Sequence, residues 1–258
     1  SSPEDERVEE PSYSDDHFDV DEIPLSGFRI SFQQGYYGIS PNVCVEFINA
    51  LSYTQRHLSF EILATHHSIS IQIVGTQDDV LKAQHHCKGF FPLVNIEPIE
   101  DTLDLPFHYD ERNEVAVVEL APDEEYMRPL CEAHDFRLDP LTSVLTTCEH
   151  LRPEEVVMLQ ILFTGVTNVW KHDILNSVSD GRGGSFFPSN PEMKSGAEQK
   201  VASPLFSCII RLASQSSQQE RSKALVHELA HYVTGATESP LNKLVLLSNE
   251  GYEYNQLV

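Results

Sequence analysis

The strongest chemical signal in the chain is His227-Glu228-Leu229-Ala230-His231. Histidines at i and i+4 of a helix share one face. There two imidazoles can present nitrogen to Zn²⁺ while the glutamate between them acts as general base. A carboxylate at Glu250, in Asn249-Glu250, is placed to be a third ligand. The chemistry this would support is metal-assisted hydrolysis.

The layout resembles the gluzincin metalloproteases, with His227, His231 and Glu250 as metal ligands and Glu228 as base. Three features oppose it. On a helical wheel Leu225, Leu229, Tyr232 and Val233 make the core face, and the two histidines point away from it, toward the side carrying Glu220 and Lys223. The helix takes the second-helix place in a recurring element order whose first copy holds His85-His86 without a catalytic pattern. Only 27 residues follow His231, where a zincin builds the floor of its cleft. An exposed histidine pair on an amphipathic helix is the favoured reading, and zinc protease the alternative.

Other clusters are weaker. Cys131-x-x-His134 and Cys148-x-His150 offer four soft ligands, but the second spacing is not that of a zinc site. His85-His86-Cys87 are adjacent and so diverge on a helix. Asp180-Gly-Arg-Gly-Gly-Ser185 is glycine-rich but lacks the phosphate-loop pattern, and no strand directly precedes it. Neither a nucleotide-binding loop nor a G-x-S-x-G elbow occurs in the 258 residues.

The elements that must carry these residues follow from periodicity and caps. Phe28–Phe32, Leu58–Ala64, Ser68–Val74 and Leu93–Ile96 read as strands, with His66-His67 at a hairpin turn. Ser40-Pro41 opens one helix, and Thr76-x-x-Asp79 reads as a capping box opening another. The order recurs with strands at Glu114–Leu120, Val156–Phe163, Leu205–Ala213 and Leu244–Leu247. Its helices open at Asp139-Pro140 and at a second capping box, Ser217-x-x-Glu220. The expected fold is therefore α+β: two tandem ferredoxin-like β-α-β-β-α-β units, residues 23–105 and 106–258. The second carries an insertion at 166–203, with Trp170, Phe186 and Phe187 as candidate contacts for a neighbouring subunit.

Composition narrows the function. Lys and Arg number 17 against 40 Asp and Glu, a net charge of −23. That disfavours direct grip on nucleic-acid phosphates or anionic membranes. The charge is concentrated. Residues 1–24 hold ten acids and one Arg, and residues 97–127 eleven acids and one Arg. Residues 1–22 read as an acidic disordered lead-in and not as a signal peptide. Five cysteines without regular spacing suggest a reducing compartment, and no apolar run is long enough to cross a bilayer.

From about residue 136 the chain resembles one family. The stretches are Asp139-Pro-Leu-Thr142, Pro153–Phe163, Trp170, Phe186-Phe187, Lys200–Phe206, Ile210–Ala213 and Asn242–Tyr252; Phe60–Ile62, Ile71–Val74 and Phe91-Pro92 fit more loosely. They look like the region preceding the motor domain in bacterial type IV secretion and conjugative DNA-transfer ATPases, relatives of coupling proteins and HerA/FtsK-type translocases. The resemblance implies a cytoplasmic, bacterial, non-catalytic accessory or oligomerisation domain in conjugation, secretion or anti-phage defence. The implied partners are its own motor domain, neighbouring subunits of a hexamer and a possible partner protein. ATP, Mg²⁺ and DNA would be handled by the motor domain downstream, and no cofactor by this chain. Asn249-Glu250 then belongs to the family text and not to a zinc site.

Overall fold

The computed structural model describes residues 24–32, 40–99, 107, 113–132, 136, 145–147, 149–166, 168–182 and 184–247. In chain order the elements are β1 (Leu25–Phe32), α1 (Pro41–Ala50), a 3₁₀ turn (Leu51–Tyr53), β2 (Leu58–Thr65), β3 (Ile69–Thr76), α2 (Gln77–Phe90) and β4 (Val94–Ile99). Then come β5 (Glu114–Pro122), β6 (Val156–Gly165), α3 (Asn168–Val178), α4 (Glu192–Lys200), β7 (Phe206–Ser216), α5 (Gln219–Thr237) and β8 (Leu244–Leu246). The acidic lead-in 1–22 and the cap Asp139-Pro140 lie outside the described residues.

The expectation of two ferredoxin-like units is corrected by the sheet. All eight strands join in one antiparallel sheet of order β4-β1-β3-β2-β6-β7-β5-β8. β2 and β6 pair directly from Leu58↔Phe163 to Thr65↔Val156. The physical reason lies in those two strands. Leu58-Ser-Phe-Glu-Ile-Leu-Ala and Val156-Val-Met-Leu-Gln-Ile-Leu-Phe are nearly continuous apolar runs with no proline or lysine to protect an edge. Such runs belong in the middle of a sheet, buried on both faces. β4, by contrast, carries Pro98 and exposed Glu97 and suits an edge.

The helices α1, α2 and α5 cover one face. Toward the β1 end, Phe28, Leu58, Ile73 and Phe163 pack against Phe47 of α1 and Val80, Ala83 and Cys87 of α2. Toward the β8 end, Ile62, Val157, Leu159 and Leu212 pack against Leu225, Leu229 and Val233 of α5. Phe60 and Ile161 touch both clusters, so the apolar layer is continuous across the β2–β6 seam. Each fully buried Leu here contributes about 1.5–3 kcal/mol of transfer free energy.

The other face bears a row of polar residues in direct register: Glu97, Arg29, Gln72, Glu61, Gln160, Arg211 and Glu119, one from each of β4, β1, β3, β2, β6, β7 and β5. Beside this row Leu63, Met158 and Ala213 form a small cluster, against which Val117 and Phe107 pack. Phe107 belongs to the acidic connection between β4 and β5, which joins the first strand of the sheet order to the seventh.

Both capping boxes are also corrected. Thr76 is the N-cap of α2 but makes no side-chain cap bond; Asp79 instead receives the amides of Gln55 and Arg56 at 3.1 and 2.9 Å. The longer-range contact gives the buried Asp79 carboxylate two loop amides and displaces the local cap. α5 starts one residue later than the second box requires, with Gln218 as N-cap, and Glu220 is exposed and paired with Lys223.

Candidate functional site

His227 and His231 sit on the solvent side of α5, opposite the buried Leu225, Val226, Leu229, Ala230 and Val233. Glu228 is exposed too, and its Oε1 accepts a hydrogen bond from Thr147 Oγ1 at 3.4 Å. Among the described residues no three His, Cys, Asp or Glu side chains converge to hold a metal ion. The described residues bring two imidazoles to this open helix face, where a catalytic zinc takes three protein ligands. Glu250, His134 and Cys148 lie outside the described residues.

The glycine-rich loop is closed by its own acid. Asp180 Oδ1 accepts the amides of Arg182 and Gly184 at 2.8 and 2.7 Å, and Gly181 turns the chain at φ +72°. A carboxylate therefore takes the backbone amides that an anion would need. The aromatic candidates separate by environment. Phe187 packs with Ile174, Val178 and Ala197 in a small core between α3 and α4. Trp170 is 48% exposed, with its ring edge against Tyr126 at 5.8 Å, and Phe186 is 59% exposed.

Three buried acids had no sequence signature as functional groups, and each is held by internal partners. Glu61 is 1% exposed and accepts hydrogen bonds from Ser59 Oγ, Gln72 Nε2 and Gln160 Nε2 at 2.7, 2.6 and 2.9 Å. Glu155 is fully buried, and its carboxylate is bound by Arg221 Nε at 2.9 Å and the Arg152 amide at 3.0 Å. Burial pushes Glu155 upward, but the Arg221 hydrogen bond, the Arg152 amide and the two guanidinium charges outweigh it and hold the carboxyl below its ordinary value. Asp79 behaves alike: burial raises it, and the Gln55 and Arg56 amides with Lys82 bring it below the usual carboxylate range. The signal available in sequence was a lone polar residue inside an apolar strand, as at Glu61 and Gln160.

Two concave sites lie side by side near the C-terminal end of α5. A cleft of about 700 Å³ lies between α4 and the C-terminal end of α5, and its lining includes Cys131, Glu132, Glu192, Gln199 and Glu238. A groove of about 380 Å³ adjoins it along β8 and shares Gly235 and Glu238. The loops forming these walls are tied by Asn242, which is 4% exposed: its Oδ1 accepts from the Glu124 amide at 3.0 Å and its Nδ2 donates to Arg128 O at 3.2 Å. No described helix is long and apolar enough to cross a membrane.

No family model matches the chain, and no curated protein does. Among solved structures it is similar to a chitooligosaccharide oxidase, at TM-score 0.36 and 10% identity over 86% of this chain and 45% of that one. It is also similar to an aclacinomycin oxidoreductase, at TM-score 0.35 and 9% identity over 82% of this chain and 41% of that one. The chain thus spans less than half the length of either protein. Similarity this low bears on neither fold nor activity.

Proposed function

We propose that the chain is a non-catalytic accessory region of a DNA-translocase-type ATPase, of the type IV secretion or HerA-like class, acting through protein contacts in the bacterial cytoplasm. Its neighbours would be its own motor domain and the adjoining subunits of a hexamer. The observation that carries this reading is the disposition of the ionisable groups. The buried acids Glu61, Asp79 and Glu155 are each held by structural hydrogen bonds, and the one metalloprotease-like motif lies on an open helix face. The resemblance over residues 136–252 supplies the motor class. The charge of −23 supports leaving DNA to the motor domain.

The test is a pair of assays on the chain. It should hydrolyse no ATP, and it should leave duplex DNA unbound at physiological salt. Tight DNA binding with a steep salt dependence would overturn the reading. So would one equivalent of tightly bound zinc in protein purified without added metal, lost in His227→Ala.

A further inference from the structure

We infer that the open edge of β8, together with the two clefts beside α5, is a docking site for an extended, basic segment of a partner protein. The inference deepens the accessory-domain reading and rests on it only for the need of a partner.

The edge follows from the ladder. Leu247 N–H donates to Glu119 O at 2.9 Å, and Lys243 O accepts from Asp123 N–H at 2.9 Å. The odd-numbered residues of β8 therefore face β5. Alternation along an antiparallel strand turns the N–H and C=O of Leu244 and Leu246 the other way, off the end of the sheet. Among the described residues these outward groups have no partner. The sheet's opposite edge differs, because Pro98 in β4 has no N–H to offer.

The groove gives the edge a second wall. Its 380 Å³ run between β8 and α5, with His231, Thr234 and Glu238 on the helix side and Leu246, 38% exposed, on the strand side. An edge strand flanked by a helix is the geometry of recognition by strand addition, in which main-chain bonds supply affinity and alternate side chains enter the groove. His231 thus has a place in a binding wall.

Charge selects the occupant. Lys243 in the groove wall is paired with Asp123 at 3.6 Å, and the groove opens at Glu238 into the larger cleft, whose acids include Glu192. The carbonyl end of α5 points there with no basic residue in its last turn, so the helix dipole adds negative potential. A second copy carries the same net −23 and the same acids beside this edge and is repelled, whereas a lysine- or arginine-bearing strand is drawn in.

The test uses the whole chain and a synthetic peptide of alternating lysine and valine. A second peptide has the same sequence with every other backbone amide N-methylated, which keeps the charge and blocks the ladder. In the free chain the Leu246 amide should exchange rapidly with solvent while that of Val245 is protected. At about 0.15 M salt the plain peptide should bind and slow Leu246 exchange, and the methylated one should bind about tenfold more weakly or worse. Leu246→Pro should abolish binding. Glu192→Gln with Glu238→Gln should weaken it, and Glu97→Gln at the far edge should leave it unchanged. Equal binding of the two peptides, no effect of Leu246→Pro, or no binding of the plain peptide would overturn the proposal. So would a Leu246 amide already protected in the free chain, since the edge would then be filled by the chain's own residues or a second copy. None of these failures touches the DNA and ATP assays, so the two readings fall separately.

Discussion

At the scale of single residues, the ion pair of Glu155 with Arg221 is the most exposed to test. Removing the carboxylate leaves a guanidinium, the Arg152 amide and Ser216 Oγ facing an uncharged group. Glu155→Gln should cost about 3 kcal/mol at neutral pH, measured by denaturant unfolding. Its pH dependence has a definite sign. The folded carboxyl lies below its ordinary 4.5, so its contribution is complete above that value and is lost as pH falls through the lower, folded value. The gap between wild type and variant should therefore be widest above pH 4.5 and close in acid. Burial pushes the Cys87 thiol up to about 11, so Cys87 should resist thiol reagents at neutral pH until the chain unfolds. His227→Ala and His231→Ala, both exposed, should shift stability by no more than about 0.5 kcal/mol. The direction of the two histidines was legible from the helical wheel alone. Neither Glu155 nor its pairing with Arg221 was, because partners 66 residues apart leave no local pattern.

At the scale of elements, the strands and the core helices were legible wherever one period held: β2, β3, β6, β7 and α5 fall within a few residues of their expected places. What failed was pairing. Cap chemistry and element order mark where helices begin, but they carry no information on whether a strand ends a sheet. The relevant clue was the apolar continuity of β2 and β6, which only makes sense for central strands. Periodicity alone marks such a run as a strand and does not say that both its faces are buried. Glu61 and Gln160, the single polar residues in the middle of those runs, meet across the seam at 2.9 Å. Glu61→Ala should cost about 3 kcal/mol, because Ser59, Gln72 and Gln160 all lose their acceptor in a buried place. Gln160→Ala should cost less, about 1–2 kcal/mol, since Glu61 keeps two donors. A thermodynamic cycle on the pair should show coupling. Additive effects would mean that the seam is held by backbone pairing and apolar contacts alone.

At the scale of the whole molecule, one sheet implies one cooperative unit. Phe60 and Ile161 belong to the apolar clusters on both sides of the seam, so neither half can open without exposing the other's core. Thermal unfolding should show a single transition with coincident probes, and two separated transitions would contradict the continuous sheet. The same scale frames function. A wide sheet with helices on one face and a polar row on the other is a platform, and two clefts lie side by side at its β8 end. Of this platform the zinc-like motif stood out most in the sequence. The clefts did not, because they are built from loops near residues 124–132 and 235–243 that fold together through Asn242. The role we propose for this platform is to serve a motor encoded beyond it. The most direct measurement is the length of the natural gene product. The reading frame should continue past Val258 into a G-x-x-x-x-G-K-[ST] nucleotide loop, and a frame that stops near Val258 would contradict the proposed role.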